Sequence, residues 1–337
     1  MAATTSPLES LSEEERAKLR PAPPPQSTEP MKATLTDRRF SDPDWIFEPK
    51  LDGVRAAVFK NGGRARLVSR TGKDFSLAYP ELIEALEADP ADDFVADGEI
   101  VTFEGGRTSF ERLQARIHLR DPGRISRSGV AVFLYLFDLT YLDGNDVTEL
   151  PLRTRKALLR KALSFEDPVR YSSHRNEHGE ALFREACKKG WEGLIAKRAD
   201  STYSRRRSGD WLKFKCSRQQ ELVIGGFTPP KGSRKRFGAL LVGYYEGGEL
   251  RYAGKVGTGF SERVLEELGA RLEQLEVPES PFRRDGVPRE ARWVKPELVG
   301  QFGFAEWTRD GKLRHPRYLG LRVDKRPREV VREVPTA

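Results

Sequence analysis

Several separated segments carry residue types that together could transfer a nucleotidyl group. In "EPKLDGVRAAVFK", Lys50 stands directly behind Pro49 and two residues ahead of the Asp52-Gly53 pair. A lysine attacks phosphorus only as the neutral amine. At a reference pKa of about 10.4 fewer than ~1 in 1,000 are neutral at pH 7, so nearby cations and partial desolvation must lower that value. "FVADGEIV" sets Asp97 and Glu99 two apart and facing one way, and "FLYLFDLTYLDG" delivers Phe137 and Asp138 at the end of a strand. "GWEGLIAKR" puts Glu192 ahead of an apolar strand, and "DWLKFK" alternates so that Lys213 and Lys215 share a face while Leu212 and Phe214 turn inward. Alone, each segment reads as a solvated carboxylate, a core aromatic or a charged edge strand. Together they supply the groups a nucleotidyl-transfer site would require.

The elements that position these groups are mixed. Turn pairs at Asn61-Gly62, Asp143-Gly144, Gly247-Gly248 and Asp310-Gly311 separate strand-like runs in the manner of antiparallel hairpins. "WIFEPKLDGVRAAVF" reads as two strand pieces meeting near Asp52-Gly53, with Val54, Ala56 and Val58 on one face. Helical stretches interrupt: "TSFERLQARIHL" with Thr108 and Glu111 as a capping box, "PLRTRKALLRKAL" starting on Pro151, and "GEALFREACKKG" ending on Gly190. Strands and helices in no strict alternation give an α+β class. Past Cys216 short strands with glycine-rich connections surround one helix, "SERVLEELGARLEQL", which suits a small β-barrel. The expected organisation is a disordered proline-rich leader over 1–30, a first domain over 31–217, a barrel domain over 218–330 and a tail over 331–337.

With 59 basic and 51 acidic residues the net charge is +8, which suits equally a polyanionic partner and a soluble surface that is simply basic. Arg205, Arg206, Arg207, Lys231, Arg234 and Lys235 form basic clusters that suit either a phosphate backbone or a solvated surface. The two cysteines, Cys187 and Cys216, make neither a disulfide framework nor a zinc site and are expected as buried thiols in a reducing compartment. No segment approaches the roughly 20 apolar residues of a membrane span, so a cytoplasmic location is expected.

In order and spacing these motifs resemble ATP-dependent DNA ligases of the covalent nucleotidyltransferase superfamily, with details similar to the ligase domain of bacterial DNA ligase D. The resemblance is carried by Lys50-Leu51-Asp52-Gly53-Val54-Arg55, "SRTGKD" (Ser69 to Asp74), Asp97-Gly98-Glu99, "LFDL" around Phe137, "EGLIAKR" from Glu192, "WLKFK" and "RVDK" (Arg322 to Lys325), with "GALLVGYY" and "YAGKVGTGF" in the second domain. It runs from about Met31 to about Pro327. It implies an adenylation domain of antiparallel sheets with helices, followed by an OB-fold. It implies nick sealing through a lysyl-AMP on Lys50, in DNA repair by non-homologous end joining, with ATP and Mg²⁺ or Mn²⁺.

By the same resemblance Arg55, Arg70, Lys213, Lys215 and a bound metal are the candidate cations that lower the Lys50 pKa, Glu48 lies beside the adenine, Arg55 and Arg70 near ribose and phosphate, and Phe137 against the base. Glu99 touches ribose or metal, Glu192 holds the metal, and Lys213 and Lys215 hold the α-phosphate. Arg322 and Lys325 orient the outer phosphates when the OB-fold closes. Nicked duplex DNA is the implied substrate, with Ku and a repair polymerase as partners by analogy and a monomer as the expected state. The chain carries no long helical region ahead of Lys50 and no polymerase or phosphoesterase region, so a stand-alone enzyme and a domain of a larger one both stay open. The alternatives are an RNA ligase, an mRNA-capping guanylyltransferase, and a noncatalytic OB-containing DNA-binding protein. Capping enzymes usually carry aspartate where Glu192 stands.

Overall fold

A computed structural model describes residues 6–230, 235–283, 286–288 and 290–336. The chain divides into two compact units, Met1–Cys216 with Pro335–Ala337, and Ser217–Val334.

The first unit is built on two sheets. We label its main strands β1 (Lys32–Leu35), β2 (Trp45–Pro49), β3 (Val54–Asn61), β4 (Arg64–Ser69), β5 (Phe94–Val101), β6 (Phe133–Leu142), β7 (Gly193–Arg198) and β8 (Arg207–Lys215), and its main helices α1 (Pro80–Ala88), α2 (Phe110–Ile117), α3 (Leu152–Ala162) and α4 (Gly179–Lys188). One sheet runs β6-β5-β3-β4 and the other β2-β7-β8-β1, with short strands at their edges. Pairing is antiparallel except for β8 with β1 and for Val169–Tyr171 with β6. The two strand pieces around Lys50 therefore form no hairpin: β2 lies in one sheet and β3 in the other, and the chain crosses between them at Lys50–Gly53. A Cβ on Gly53 would collide with the Ile100 carbonyl and the Val101 side chain, so only glycine permits this crossing. Val54, Ala56 and Val58 are fully buried on one face.

The connection from β3 to β4 uses Gly62 and Gly63, both at positive φ (56° and 74°), the geometry of a tight hairpin. Helix α2 is capped by Ser109, which accepts from the Arg112 N–H at 3.1 Å. Thr108 is not its cap as expected, because its Oγ accepts from the Asp52 N–H at 3.1 Å. Asp52 in turn accepts from the Phe110 N–H, tying the Lys50–Gly53 crossing to the helix start. Phe137 and Asp138 lie in the middle of β6, not at its end, because the apolar run continues to Leu142.

Two further expectations fail. Among its described residues the leader carries structure: Pro7–Ser10 and Glu13–Arg16 are short helices, the second with a Ser12/Glu15 capping box, and Arg20–Pro21 pairs with Asn145–Asp146. Backbone pairing at a sheet edge needs no apolar periodicity, so a proline-rich run without it can still dock. The cysteines are not free thiols. Cys187 at the end of α4 and Cys216 just past β8 are bridged, their Cα atoms 5.3 Å apart, because α4 packs against the strand ladder that ends at Cys216 and brings both side chains within disulfide reach. No described helix is long and apolar enough to cross a membrane.

The second unit is the OB-fold domain, a curved antiparallel sheet. Its strands are β9 (Gln219–Thr228), β10 (Ala239–Glu246), β11 (Glu249–Val256), β12 (Arg292–Gly303) and β13 (Arg317–Arg322), ordered β11-β10-β9-β12-β13. Helix α5 (Glu262–Gln274) is capped by Ser261, and its Leu268 and Leu272 join the buried core. Gly247 and Gly248, at φ 59° and 83°, make the β10–β11 turn.

Candidate active site

Strands β2, β7 and β8 form one ladder. Glu48 stands opposite Ile195, which stands opposite Lys213, while Gly193 faces Lys215. Cross-strand neighbours point to the same face, so Glu48, Lys197, Lys213 and Lys215 project together. The opposite face carries Phe47, Leu194, Ala196 and Phe214, buried against Leu182 and Ala186 of α4. Alternation along each strand thus separates core from chemistry.

Lys50 follows β2 and is fixed by its backbone N–H, which donates to the Gly193 carbonyl at 2.9 Å. Its ammonium donates to Glu192 Oε2 at 2.5 Å. Burial disfavours the charged form, but Glu192, Asp52 and Glu99 outweigh it and hold the Lys50 pKa above the ordinary lysine value. This reverses the expected direction. Arg55, named as a cation that would lower that pKa, is itself claimed by a carboxylate: its guanidinium is bidentate on Asp97, at 2.6 Å and 2.5 Å, and also donates to the Met31 carbonyl. Burial works against the Arg55 charge, yet Asp97 and Glu99 keep it firmly protonated. Asp97 further accepts from the Tyr203 hydroxyl at 2.5 Å.

Glu99 stands opposite Arg55 across the β3–β5 ladder. Phe137 is buried, with the Arg55 guanidinium 4.8 Å and the Lys197 ammonium 4.3 Å from its ring centroid and Trp211 set edge-on at 6.1 Å. Arg70 lies in the turn after β4. The structure thus brings Glu48, Lys50, Arg55, Glu99, Phe137, Glu192, Lys213 and Lys215 onto the strands of the first unit and the loops that join them.

Glu48 is 2% exposed and carries two cations: Lys156 Nζ at 2.6 Å from Oε1 and Lys197 Nζ at 2.8 Å from Oε2. Burial pushes its pKa up, but the two ammonium groups prevail and hold it below the usual carboxylate value. Lys197 moves the other way, to about 8, through burial and the repulsion of Lys156.

Lys156 and Lys197 are absent from the site expected from sequence, and Asp97, named there only beside Glu99, had no role as the partner of Arg55. Lys156 had a signal. Leu152, Arg155, Lys156 and Leu159 form the buried stripe of α3, and two cations inside an apolar stripe demand acidic partners. Arg155 finds Asp138, both with fully buried side chains.

In the second unit Arg322 is bidentate on Asp324, at 2.9 Å and 2.8 Å, and Lys325 lies 2.7 Å from Glu221. Asp324 is 1% exposed; burial raises its pKa, and Arg322 and Lys325 pull it below the usual value. Among the basic clusters, Arg205 and Arg206 precede β8 and Arg207 opens it, all three exposed, with Arg205 3.6 Å from Asp146 and Arg207 donating to the Ala33 carbonyl. Lys235 is exposed. Lys231 and Arg234 lie outside the described residues.

Among the described residues no group of three or more His, Cys, Asp or Glu side chains is arranged to hold a metal. Glu192 and Glu99, which both act on the Lys50 amine, instead make a sparse carboxylate pair. That donor set fits Mg²⁺ or Mn²⁺ completed by water and phosphate oxygens.

Residues 26–215 match the family model for the ATP dependent DNA ligase domain, and residues 233–325 match that for the ATP dependent DNA ligase C terminal region. The chain is 41% identical over 301 residues to a multifunctional non-homologous end joining protein LigD of Pseudomonas aeruginosa, covering 87% of this chain and 35% of that protein. Over 296 residues it is 41% identical to the LigD DNA repair protein of Mycobacterium tuberculosis, covering 86% and 37%. It therefore spans about a third of the length of these relatives. A solved mycobacterial DNA ligase D complexed with ATP and MES is similar at 37% identity and a TM-score of 0.64, covering 91% of this chain and 98% of that one.

Proposed function

The chain belongs to the ATP-dependent DNA ligase family, and from that premise we propose that it seals nicks in duplex DNA through a lysyl-AMP on Lys50, as a monomer acting in the cytoplasm in double-strand break repair by non-homologous end joining. The observation that carries the reading is the Lys50 amine, anchored beside Glu192 at 2.5 Å and flanked on the same ladder by Lys213 and Lys215.

The neutral Lys50 nitrogen attacks the α-phosphorus of ATP, an N–P bond forms, the bond to the β-phosphate oxygen breaks, and pyrophosphate leaves. Lys213 and Lys215 take charge on the α-phosphate as it develops, where fixed cations act most strongly. A 5′-phosphate oxygen of the nick then attacks the same phosphorus and the N–P bond breaks, returning the amine. Finally the 3′-hydroxyl attacks the 5′-phosphate and AMP departs.

Glu48 faces the nucleobase, Phe137 packs against it, Arg55 and Arg70 serve the ribose and phosphate, and Arg322 and Lys325 supply cations to the pyrophosphate. Glu192 and Glu99 would hold Mg²⁺ or Mn²⁺, which supplies positive charge to the phosphates and neutralises the carboxylates that keep Lys50 protonated. Arg205, Arg206, Arg207, Lys231, Arg234 and Lys235 grip the duplex backbone. The end-joining role and the partners, Ku and a repair polymerase, follow from LigD, of which this chain spans only part.

The test is incubation with α-labelled ATP or GTP, followed by a chase with nicked DNA or RNA. Label enters wild-type protein from ATP and moves to nicked DNA, while Lys50→Ala takes none. Label retained by Lys50→Ala, or taken from GTP alone, refutes the assignment. Joining of linear ends stimulated by Ku separates the end-joining role from simple nick sealing.

A further inference from the structure

Lys156 has no role in the reaction described above, yet it is among the most constrained cations in the molecule. It comes from α3, is 1% exposed, and its ammonium spends its three donors on three different segments: Glu48 Oε1 of β2 at 2.6 Å, the Phe137 carbonyl of β6 at 3.3 Å, and the Ser172 carbonyl at 3.0 Å. The Tyr171 ring lies beneath it, 4.6 Å from Nζ to centroid. Lys156 therefore joins the carboxylate assigned to the nucleobase to the backbone of the aromatic residue assigned to the same base.

The consequence lies in what Glu48 can do. An ionised carboxylate offers about four acceptor positions and no donor. Lys156 occupies one on Oε1 and Lys197 faces Oε2, which leaves acceptor capacity and nothing else. Adenine presents an N–H donor at its 6-position and guanine a carbonyl acceptor. We infer that Lys156 is a positioning residue for nucleobase choice, holding Glu48 as a fixed acceptor so that the site takes a purine with a 6-amino group and refuses one with a 6-carbonyl. The inference rests on the reading of Glu48 as the base contact.

The groups that face Glu48 are Lys156, Lys197, Tyr171 and His174. Burial pushes the His174 pKa down to about 4, so that ring is neutral and adds no charge near neutral pH. Burial likewise raises the Tyr171 hydroxyl. Only the two lysines oppose burial of the carboxylate, and Lys197 is itself the weaker cation at about 8. Without the Lys156 charge the Glu48 pKa rises. A protonated Glu48 presents a donor and no longer distinguishes the two purines in the same way, whereas higher pH restores the carboxylate.

The experiment compares kcat/KM for protein labelling by ATP and by purine riboside triphosphate, which has hydrogen in place of the 6-amino group, from pH 6 to pH 9. Because both substrates are measured on one preparation, their ratio does not depend on how much protein is folded. Wild type should prefer ATP by about 10- to 150-fold, the loss of one hydrogen bond to a charged group. In Lys156→Gln the ratio should fall to within about threefold near pH 6 and recover as pH rises, while Lys156→Arg retains a preference at all pH values. Lys156→Met gives the same comparison if the glutamine variant accumulates poorly. A neutral variant with the wild-type ratio at every pH, or a wild-type ratio near one, overturns the inference while leaving adenylylation intact. If wild type takes no label from either nucleotide, the proposed function falls and this inference with it.

Discussion

Replacing Glu192 with glutamine should make Lys50 more reactive toward small electrophiles and the protein a poorer ligase. The Lys50 pKa is held above its ordinary value of 10.5, against burial, chiefly by Glu192. Even at 10.5 the neutral fraction at pH 8 is only about 1 in 300, so wild type starts below that. A unit charge at about 4 Å with an effective dielectric near 20 contributes on the order of 4 kcal/mol. The glutamine amide restores part of this by hydrogen bonding, so labelling of Lys50 at pH 8 should accelerate by about tenfold or more in Glu192→Gln. The assay is acylation by an amine-selective reagent without nucleotide, followed by peptide mass spectrometry from pH 7 to pH 10. Wild type should gain about tenfold per pH unit with no plateau in that range, as expected for a group titrating above it. Glu192→Gln should bend toward a plateau. Its adenylylation by ATP should nonetheless fall by about 100-fold or more, since a carboxylate proposed to hold the metal is gone. Equal labelling of the two proteins, or a wild-type plateau below pH 9, would refute the reasoning.

The Arg155–Asp138 pair is fully buried and bidentate, at 2.8 Å and 2.9 Å, so Asp138→Asn should cost about 3–5 kcal/mol and lower Tm by roughly 6–20 °C in calorimetry. The Cys187–Cys216 bridge spans 29 residues. Thiol titration of unfolded, unreduced protein should find no free thiols, and reduction should destabilise the chain by about 3 kcal/mol. Replacing Arg205, Arg206 and Arg207 by alanine should flatten the dependence of log affinity for nicked duplex on log salt by about 0.9 for each phosphate left without its cation, with labelling of free protein by ATP unchanged.

Much of the placement of the candidate site's residues was legible because strand alternation is unforgiving. "DWLKFK" and "GLIAKR" each have one apolar face, so the positions of Lys213, Lys215 and Glu192 follow once those strands pair. The fold class was equally readable from turn pairs and capped helices. What stayed hidden is long-range pairing. Nothing local to "LRTRKALLRK" says that Lys156 meets a carboxylate 108 residues earlier, or that Arg155 meets Asp138. The leader docks through backbone groups at a sheet edge, which leave no side-chain pattern. The cysteines were misread because two residues looked too few for a framework, yet a single bridge needs only two Cα atoms at a suitable distance. The sign of the Lys50 shift was missed for a related reason: counting cations in sequence does not reveal which carboxylates have already claimed them.

The same pairing of cation with carboxylate recurs in each unit. Lys50 is on Glu192 and Arg55 on Asp97 in the first, and Arg322 is on Asp324 and Lys325 on Glu221 in the second. A half-buried cation without an anion would be costly to fold, so each carboxylate serves as an internal counter-ion, and on the proposed roles each of these cations would later meet phosphate or ribose. On those proposed roles phosphate oxygens would bind by exchange. The nucleotide would gain the Coulomb attraction to the cation but would have to offset the carboxylate it displaces or shares, which makes for modest affinity with the geometry set in advance. Asp97→Asn tests this directly. If Asp97 only stabilises, the variant melts lower and its KM for ATP is unchanged or worse. If it is a counter-ion that phosphate or ribose must compete with, the variant melts lower and its KM falls by several-fold, while kcat falls because Arg55 is less well aimed. Titration of labelling rate against ATP concentration distinguishes the two, and a KM that does not fall would count against carboxylates as place-holders for phosphate.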